Sequence, residues 1–190
     1  MDNIFYDFGD VNVVFGNCKK TCDIIEDTVN ELSDLKIKPL TIGGEHSLTI
    51  GVLNSLTEKY DDLTVVHLDA HRDLADTFIG EEYSHASVMK RVHEMSIKEL
   101  IQIGIRSASK EEENFVENHS NIMTFKSNEV FSHLDNIEYY LSAVDTPIYL
   151  SIDMDVFDPS VAPTVGNPTP GGILYLSLIH ISEPTRRSYI

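Results

Sequence analysis

An apolar run passes directly into alternating charged residues in the stretch Val65-Val66-His67-Leu68-Asp69-Ala70-His71-Arg72-Asp73. Near-continuous aliphatic residues are typical of a strand that is covered on both faces, as strands of parallel sheets are. In an extended backbone, side chains two residues apart lie on the same face. We therefore expect Asp69, His71 and Asp73 to project together where this strand ends.

Predicted strands and helices alternate along the chain. Short apolar runs predict strands at residues 11–15, 39–42, 63–68, 100–105, 122–125 and 148–152. Amphipathic stretches predict helices at residues 21–35, 47–59, 84–95, 110–118 and 133–144. Ser109 followed by Glu112 fits a capping box, which indicates a helix start. Such alternation predicts an α/β fold with a mainly parallel sheet, which binds ligands at the carboxyl ends of its strands.

Two further segments carry polar residues where a strand is predicted to end. In the first, two glycines precede His46; in the second, Asp153 and Asp155 follow the strand at 148–152 and share a face. Together with the Asp and His residues after the strand at 63–68, so many carboxylates would repel one another without cations. Carboxylates mixed with imidazoles suit Mn²⁺, and less specifically Fe²⁺ or Zn²⁺. Carboxylates can also bridge two ions about 3.5–4 Å apart.

Each segment also has an ordinary structural explanation when it is taken alone. A strand-to-helix turn explains the glycines before His46, which could be a histidine of the core. Asp155 could cap a turn, and His85 could have a surface or capping role near a helix start. The joint occurrence of the three segments in one acidic α/β chain favours a metal centre.

The composition fits one globular domain and excludes some partners. The 190 residues include 14 Lys+Arg and 31 Asp+Glu, for a net charge of −17, and 42% are hydrophobic. Binding to nucleic acid or to an anionic membrane needs a basic surface, so neither is expected. An excess of carboxylates suits metal cations and small cationic substrates. No apolar run approaches the roughly 18 residues of a membrane span, and the acidic N-terminus does not fit a signal peptide. We expect a cytoplasmic protein in which Cys18 and Cys22 stay reduced.

Three segments together resemble the signature motifs of the ureohydrolase (arginase/agmatinase) family. They are Gly43-Gly44-Glu45-His46-Ser47, Asp69-Ala70-His71-Arg72-Asp73 and Ser151-Ile152-Asp153-Met154-Asp155-Val156-Phe157-Asp158-Pro159. Residues 162–172 are also similar to that family, particularly to its agmatinase branch. The resemblance extends over residues 1–175 and implies a three-layer α-β-α fold around a mainly parallel sheet.

The resemblance implies a pair of Mn²⁺ ions bound by named residues. One ion would be held by His46, Asp69, Asp73 and Asp153, and the other by His71, Asp69, Asp153 and Asp155. The implied reaction is metal-assisted hydrolysis of a guanidinium group with release of urea. In it, Asp73 would orient the attacking hydroxide and help to deliver a proton, and His85 matches the family's proton-shuttling histidine.

The loop at residues 74–84 bears on the substrate. It contains Asp76, Glu81 and Glu82 but no Lys or Arg that could pair with a substrate carboxylate. It is short and resembles the agmatinase form of this loop. We therefore expect hydrolysis of agmatine to putrescine and urea, with arginine and guanidinobutyrate as alternatives. The family also implies a homo-oligomer, either a trimer or a hexamer.

The C-terminal end departs from the family pattern. The family carries a further glutamate, downstream of the Pro-Gly-Gly segment, that contacts the guanidinium, and we expect this chain to lack it with the rest of the C-terminal part. Residues 1–175 are then a partial ureohydrolase domain, and residues 176–190 resemble translated sequencing-adaptor read-through and are expected to be non-native. One alternative is therefore a metal-binding fragment without activity. Another is a deacetylase-like hydrolase with a single zinc, against which the spacing of His46 and the Asp-x-His-x-Asp segment argues.

Overall fold

A parallel sheet of four strands forms the centre of the computed structural model, which describes residues 5–182. The strands are β1 (Leu63–Leu68), β2 (Ile97–Ile105), β3 (Ile122–Lys126) and β4 (Ile148–Ile152), in the order β3-β2-β1-β4. In register, Val66 of β1 lies beside Ile101 of β2 and Leu150 of β4. All six residues of β1 are buried, as its unbroken apolar run predicts.

Helices cover both faces of this sheet. They are α1 (Cys18–Asp34), α2 (Leu48–Thr57), α3 (Val88–Glu94), α4 (Lys110–Glu117), α5 (Ser127–Val130), α6 (Leu134–Ala143) and α7 (Tyr175–Ser182). Short 3₁₀ turns occupy His85–Ser87 and Met154–Val156. The predicted capping box at the start of α4 is present, with Ser109 and Glu112 each bonded to the other's backbone N–H.

Alternate residues of β1 point into two separate cores. Val65 packs with apolar residues of α1, α2 and α3, whereas Val66 packs on the other face with Ile137 and Leu141 of α6. The arrangement confirms the predicted α/β class with its three layers and parallel sheet. Within the described part of the chain, no helix is long and apolar enough to cross a membrane.

Two predicted strands are wrong. Residues 11–15 and 39–42 have no regular secondary structure of the strand type, and Phe15 and Ile42 are 95% and 89% exposed. A β-strand needs a neighbour that takes its backbone hydrogen bonds, and none of the described strands pairs with these residues. Of the tail from residue 176, residues 176–182 lie in α7 and residues 183–190 lie outside the described part of the chain.

The carboxyl ends of β1 and β4 lie side by side. The backbone N–H of Asp153, just after β4, donates to the carbonyl of Leu68 at the end of β1 over 2.9 Å. The N–H of Asp69 donates in turn to Ile103 of β2 over 3.1 Å. The sheet therefore brings the two acidic segments to one edge, where open parallel sheets bind their ligands.

Candidate metal centre

Asp69 lies at the centre of the polar cluster and is almost completely buried. Its Oδ1 accepts a hydrogen bond of 2.6 Å from the N–H of His71 and lies 3.4 Å from the Nδ1 of that residue. Its Oδ2 lies 2.9 Å from Nε2 of His67 and 3.4 Å from Nδ1 of His46. The two oxygens of one carboxylate therefore face two different sets of ligand atoms.

The first set is built around His46, which precedes α2. Its Nδ1 lies 3.0 Å from Oδ2 of Asp73 and 3.5 Å from Oδ2 of Asp153. Its Nε2 lies 2.9 Å from the hydroxyl of Ser151 on β4, which holds the ring in place. Among the described residues, the buried Nδ1 atom has no partner with hydrogen-bond geometry. A buried nitrogen surrounded by carboxylate oxygens is what a cation site requires.

The backbone holds Asp73 in an unusual conformation. Its φ of +53° lies in the left-handed region, which is uncommon for residues other than glycine. The carbonyl of Asp73 accepts hydrogen bonds from the N–H groups of Met89 and Lys90, at 2.9 and 3.1 Å, in the first turn of α3. Helix α3 thereby stabilises the turn that aims the carboxylate of Asp73 at His46. The extended backbone expected as far as Asp73 thus ends earlier, in a turn.

The second set joins His71 to Asp155. The Nδ1 of His71 lies 3.0 Å from Oδ2 of Asp155, whose Oδ1 accepts a hydrogen bond of 3.1 Å from the N–H of Ala70. Asp153 accepts a 3.0 Å hydrogen bond from the N–H of Asp155 and so caps the 3₁₀ turn that follows β4. The other ring nitrogen of His71 lies 3.0 Å from the side-chain amide of Asn167.

The structure therefore brings the six predicted metal ligands to one edge of the sheet. Two compact groups of ligand atoms stand out among the described residues, namely His46, His67, Asp69 and Asp73, and Asp69, His71 and Asp155. Asp153 lies at the margin of the first group, where its carboxylate is partly exposed and 3.5 Å from His46. Asp69 belongs to both groups, as a bridging ligand would.

The side chains of the cluster strongly shift one another's pKa values. Burial opposes the charged form of His46, but the close carboxylates of Asp69 and Asp73 raise its pKa to about 10. A hydrogen bond with Asp155 and another with Asp69 raise the pKa of His71 to about 10. Burial, with the nearby charge of Asp69, raises the pKa of Asp73 to about 6.

Asp69 shifts in the opposite direction. Burial acts to raise its pKa, yet the surrounding imidazoles of His67, His46 and His71 lower the pKa well below its usual range. The central carboxylate is thus ionised and is stabilised by its contacts with these three imidazoles. The donors are imidazole nitrogens and carboxylate oxygens without a thiol, a set that fits Mn²⁺. The orphaned Nδ1 of His46 and the two-sided Asp69 are the features of this structure that fit a metal pair.

His85 lies apart from both groups. Its side chain is 57% exposed, its Nδ1 lies 3.6 Å from Oε1 of Glu45, and its ring packs edge-on against Phe78 with a 5.0 Å centroid separation. The other oxygen of Glu45 accepts a 3.0 Å hydrogen bond from the N–H of Ser47 at the start of α2. The predicted shuttle residue therefore lies at an exposed position, against a carboxylate of the segment that carries His46.

Several residues of the cluster were not predicted from the sequence. His67 is fully buried and contacts Asp69, and Gln102 of β2 contacts His67 in turn. The sequence holds a signal for His67, because it precedes Asp69 by two positions and so shares its face of the strand. It holds no comparable signal for Gln102 or Asn167, which reach the cluster only through the tertiary fold.

Comparison with known proteins places the chain in a family. The sequence profile described as the arginase family matches residues 2–188. An N(1)-aminopropylagmatine ureohydrolase of Thermococcus kodakarensis is 37% identical over 93% of this chain, and an agmatinase of Bacillus cereus is 35% identical over 92%. In both cases, the chain spans 59% of the relative's length.

The fold has relatives among solved structures as well. The formimidoylglutamase of Bacillus subtilis superimposes with a TM-score of 0.85 at 28% identity, over 95% of this chain and 60% of that one. The profile match covers far more than half of the sequence, and the agreement in fold supports it. The chain belongs to the arginase family.

Proposed function

We propose that this chain carries the binuclear metal centre of a guanidino hydrolase that converts agmatine and water into putrescine and urea. The observation that carries the proposal is the placement of Asp69, whose two carboxylate oxygens face His46 on one side and His71 on the other. A single-metal site would not need a central carboxylate between two imidazoles.

Two Mn²⁺ ions would be held by the residues already described. His46 and Asp73 would serve one ion and His71 and Asp155 the other, with Asp69 and Asp153 between them. Such a pair supplies Lewis acidity and activates water near neutral pH. The protein contributes a buried, fixed set of ligands, in which Ser151 orients His46 and the N–H of Ala70 orients Asp155.

His85 is proposed to carry a proton between the leaving amine and solvent. Its exposed ring is free of the two ligand groups, and Glu45 lies near enough to orient it. A histidine is suited to this task because its ordinary pKa lies near neutrality. Asp73 is proposed to orient the attacking water from within the buried cluster.

The surroundings of the loop at 74–84 support a substrate without a carboxylate. Arg91 of α3 lies against this loop, and its guanidinium contacts Asp76 at 3.4 Å, Glu82 at 3.7 Å and Glu94 at 3.3 Å. Because these three carboxylates already pair with Arg91, its guanidinium is not available to bind the carboxylate of arginine. The names of the relatives agree, since both are ureohydrolases of agmatine or an agmatine derivative.

The chain spans 59% of these relatives' length, so binding and turnover are tested separately. Isothermal titration of the metal-free chain with MnCl₂ should show two ions bound, and Asp69→Asn should abolish the binding of at least one. Asp158→Asn is the control, because Asp158 comes after β4 but belongs to neither ligand group and caps a turn through Ser160. Failure of the wild-type chain to bind Mn²⁺ would contradict the proposed centre.

Urea release is then measured on the complete product of the gene, with agmatine, N(1)-aminopropylagmatine, arginine and guanidinobutyrate as substrates. We expect agmatine to give the highest kcat/KM. A preference for arginine or guanidinobutyrate would overturn the substrate assignment but not the metal centre. Bound Mn²⁺ without urea from any of the four compounds would indicate a metal-binding protein without this activity.

A further inference from the structure

The amide of Gln102 has only one orientation that its neighbours allow. Its oxygen lies 2.9 Å from Nη1 of Arg72, which can only donate a hydrogen bond. Its nitrogen lies 2.8 Å from the carbonyl oxygen of Arg72, which can only accept one. Exchanging the two amide atoms would bring donor against donor and acceptor against acceptor. All four of these atoms belong to buried residues, so the exchange would leave them unsatisfied.

This orientation decides which nitrogen of His67 carries a proton. The same Gln102 nitrogen lies 3.2 Å from Nδ1 of His67, so Nδ1 must accept. The proton of the ring is then on Nε2, which lies 2.9 Å from Oδ2 of Asp69. His67 is completely buried on β1, and it therefore donates a hydrogen bond to the central carboxylate.

Arg72 also donates hydrogen bonds to residues of β3 and α4. Its Nη1 donates to the hydroxyl of Thr124 on β3 at 3.0 Å, and its Nη2 donates to Glu113 of α4 at 2.9 Å. Arg72 is buried to 1% exposure, although it stands between His71 and Asp73 in the sequence. A continuous chain of hydrogen bonds thus runs from α4 through Arg72, Gln102 and His67 to Asp69.

We propose that Gln102 and His67 are positioning residues that fix the orientation of Asp69 between the two halves of the metal centre. The inference rests on the proposed binuclear site and assigns His67 a role outside the metal ligands. Hydrogen bonds from a second layer of residues orient carboxylate and histidine ligands, and their loss typically reduces metal affinity by about 10–100-fold.

The competing role for His67 is that of a direct ligand, since its Nε2 lies among the ligand atoms of the first group. A ligating Nε2 would have to give up its proton. In a neutral ring the proton would then move to Nδ1 and face the N–H of Gln102, which places two donors against each other. The hydrogen bonds of Gln102 therefore indicate that His67 is a hydrogen-bond donor to Asp69 and not a metal ligand.

The first test reads the proton of His67 directly, on the metal-free wild-type chain. Long-range ¹H–¹⁵N correlation spectra of a ¹⁵N-histidine-labelled sample distinguish the two tautomers, and His67→Gln identifies the signal. We expect a proton on Nε2 and none on Nδ1. A proton on Nδ1 overturns the proposal, whether or not the protein binds Mn²⁺.

The second test measures Mn²⁺ affinity by titration calorimetry. His67→Phe removes the donor and should weaken binding by about 10–100-fold. In His67→Gln, the side-chain N–H₂ can take the place of the ring Nε2–H, so affinity should stay near that of the wild type. Gln102→Glu has the volume of glutamine but replaces the N–H donor with an acceptor, which favours the wrong tautomer of His67 and should weaken binding as His67→Phe does.

His93→Gln is the matched control, because His93 is a partly buried histidine that contacts the side chain of Asn121 and belongs to neither ligand group. Thermal unfolding in EDTA shows which variants retain the fold. Unchanged Mn²⁺ affinity in His67→Phe overturns the positioning role, and loss in His67→Gln equal to that in His67→Phe indicates a ligand instead. Failure of the wild type to bind Mn²⁺ overturns the proposed centre. The tautomer measurement still decides whether His67 donates a hydrogen bond to Asp69.

Discussion

The Nδ1 atom of His46 lies 3.0 Å from the Oδ2 atom of Asp73, and both side chains are buried. Burial disfavours an isolated charge, but together with Asp69 this carboxylate raises the pKa of His46 to about 10. In the metal-free chain, an imidazolium at position 46 therefore offsets part of the negative charge of the cluster. A metal ion bound to Nδ1 has to replace that proton.

Competition between proton and metal predicts that Mn²⁺ binding strengthens with pH. Binding to His46 and His71, both with a pKa raised to about 10, releases protons at neutral pH. Calorimetric titrations at pH 7 in buffers of different ionisation enthalpy should give different apparent enthalpies, with net proton release to the buffer. The same enthalpy in all buffers would show that the two rings are already deprotonated and would contradict this interpretation.

The stability of the metal-free chain should decrease as the pH rises. The folded pKa of His46, about 10, lies above its unfolded value of 6.5, so its stabilising contribution is complete below pH 6.5 and is lost by about pH 10. Urea denaturation in EDTA should therefore give a lower midpoint at pH 9.5 than at pH 7. In His46→Asn, the difference between the two midpoints should become smaller. A midpoint that rises with pH in the wild type would refute the prediction.

Much of the site could be predicted from the sequence because its residues follow apolar strands. The strands at 63–68 and 148–152 coincide with β1 and β4, and the polar residues after them meet where expected. The start of β2 at Ile97 was not predicted, because Lys98 and Glu99 interrupt its apolar pattern. In the fold, Lys98 donates a hydrogen bond to Asp145, and Glu99 accepts one from the hydroxyl of Tyr140.

What the sequence could not provide was the layer behind the ligands. Gln102 lies within a strand that reads as apolar, and Arg72 reads as a solvent-exposed charge between two ligands. Both are buried because each satisfies the other's hydrogen bonds, a condition that depends on the neighbouring strands. A hydrophobic pattern classes each residue separately as core or surface, so a buried pair of polar residues that satisfy each other leaves no mark in it.

Arg106 should be important for stability. Its Nη2 donates to the carbonyls of Asp155 at 2.6 Å and Thr169 at 2.7 Å, and its Nη1 donates to that of Val156 at 3.2 Å. Arg106→Met removes this donor from the carbonyls of Asp155 and Thr169, whereas that of Val156 still accepts from the N–H of Ile173. We expect the substitution to reduce the free energy of unfolding by about 3 kcal/mol. Chemical denaturation measures the loss, and Mn²⁺ affinity should fall too, since Asp155 is a proposed ligand.

Arg91→Met is the control for Arg106→Met. The carboxylate partners of Arg91, among them Asp76 and Glu94, are exposed, so water can replace the guanidinium as their partner and Arg91→Met should cost less than Arg106→Met. If Arg91→Met reduces the free energy of unfolding as much as Arg106→Met does, the hydrogen bonds of Arg106 to backbone carbonyls are not the cause of its larger expected effect.

Gly51→Ala should destabilise the packing of α1 against α2. A Cβ at position 51 would lie 2.3 Å from the carbonyl oxygen of Cys22 and 2.9 Å from Cβ of Ile25. Separating the helices to relieve this overlap costs about 1–3 kcal/mol, more than the gain of about 1 kcal/mol from alanine's helix propensity. The melting temperature should fall, whereas Gly44→Ala, with no atom within 4 Å of its new Cβ, should leave it nearly unchanged. An increase for Gly51→Ala would mean that propensity outweighs packing.

His85→Ala should separate turnover from metal binding. The ring of His85 is 57% exposed and lies 3.6 Å from Glu45 rather than among the ligand atoms, so its removal should leave Mn²⁺ affinity unchanged. Loss of a proton-transferring group typically costs about 10²–10⁴-fold in rate, and we expect a fall of this order in urea release from agmatine by the complete gene product. His133→Ala, which removes another exposed histidine, should affect neither quantity.

Chemical rescue by a small base tests whether His85 transfers a proton. Because the position is open to solvent, imidazole added to His85→Ala can occupy the space of the lost ring and should restore part of the rate, with a pH dependence that follows the pKa of the added base. Glu45→Gln should lower turnover less than His85→Ala, since it removes only the charge that orients the ring. If His85→Ala loses Mn²⁺ and turnover in equal measure, or if no small base rescues it, His85 contributes to the structure of the site and not to proton transfer.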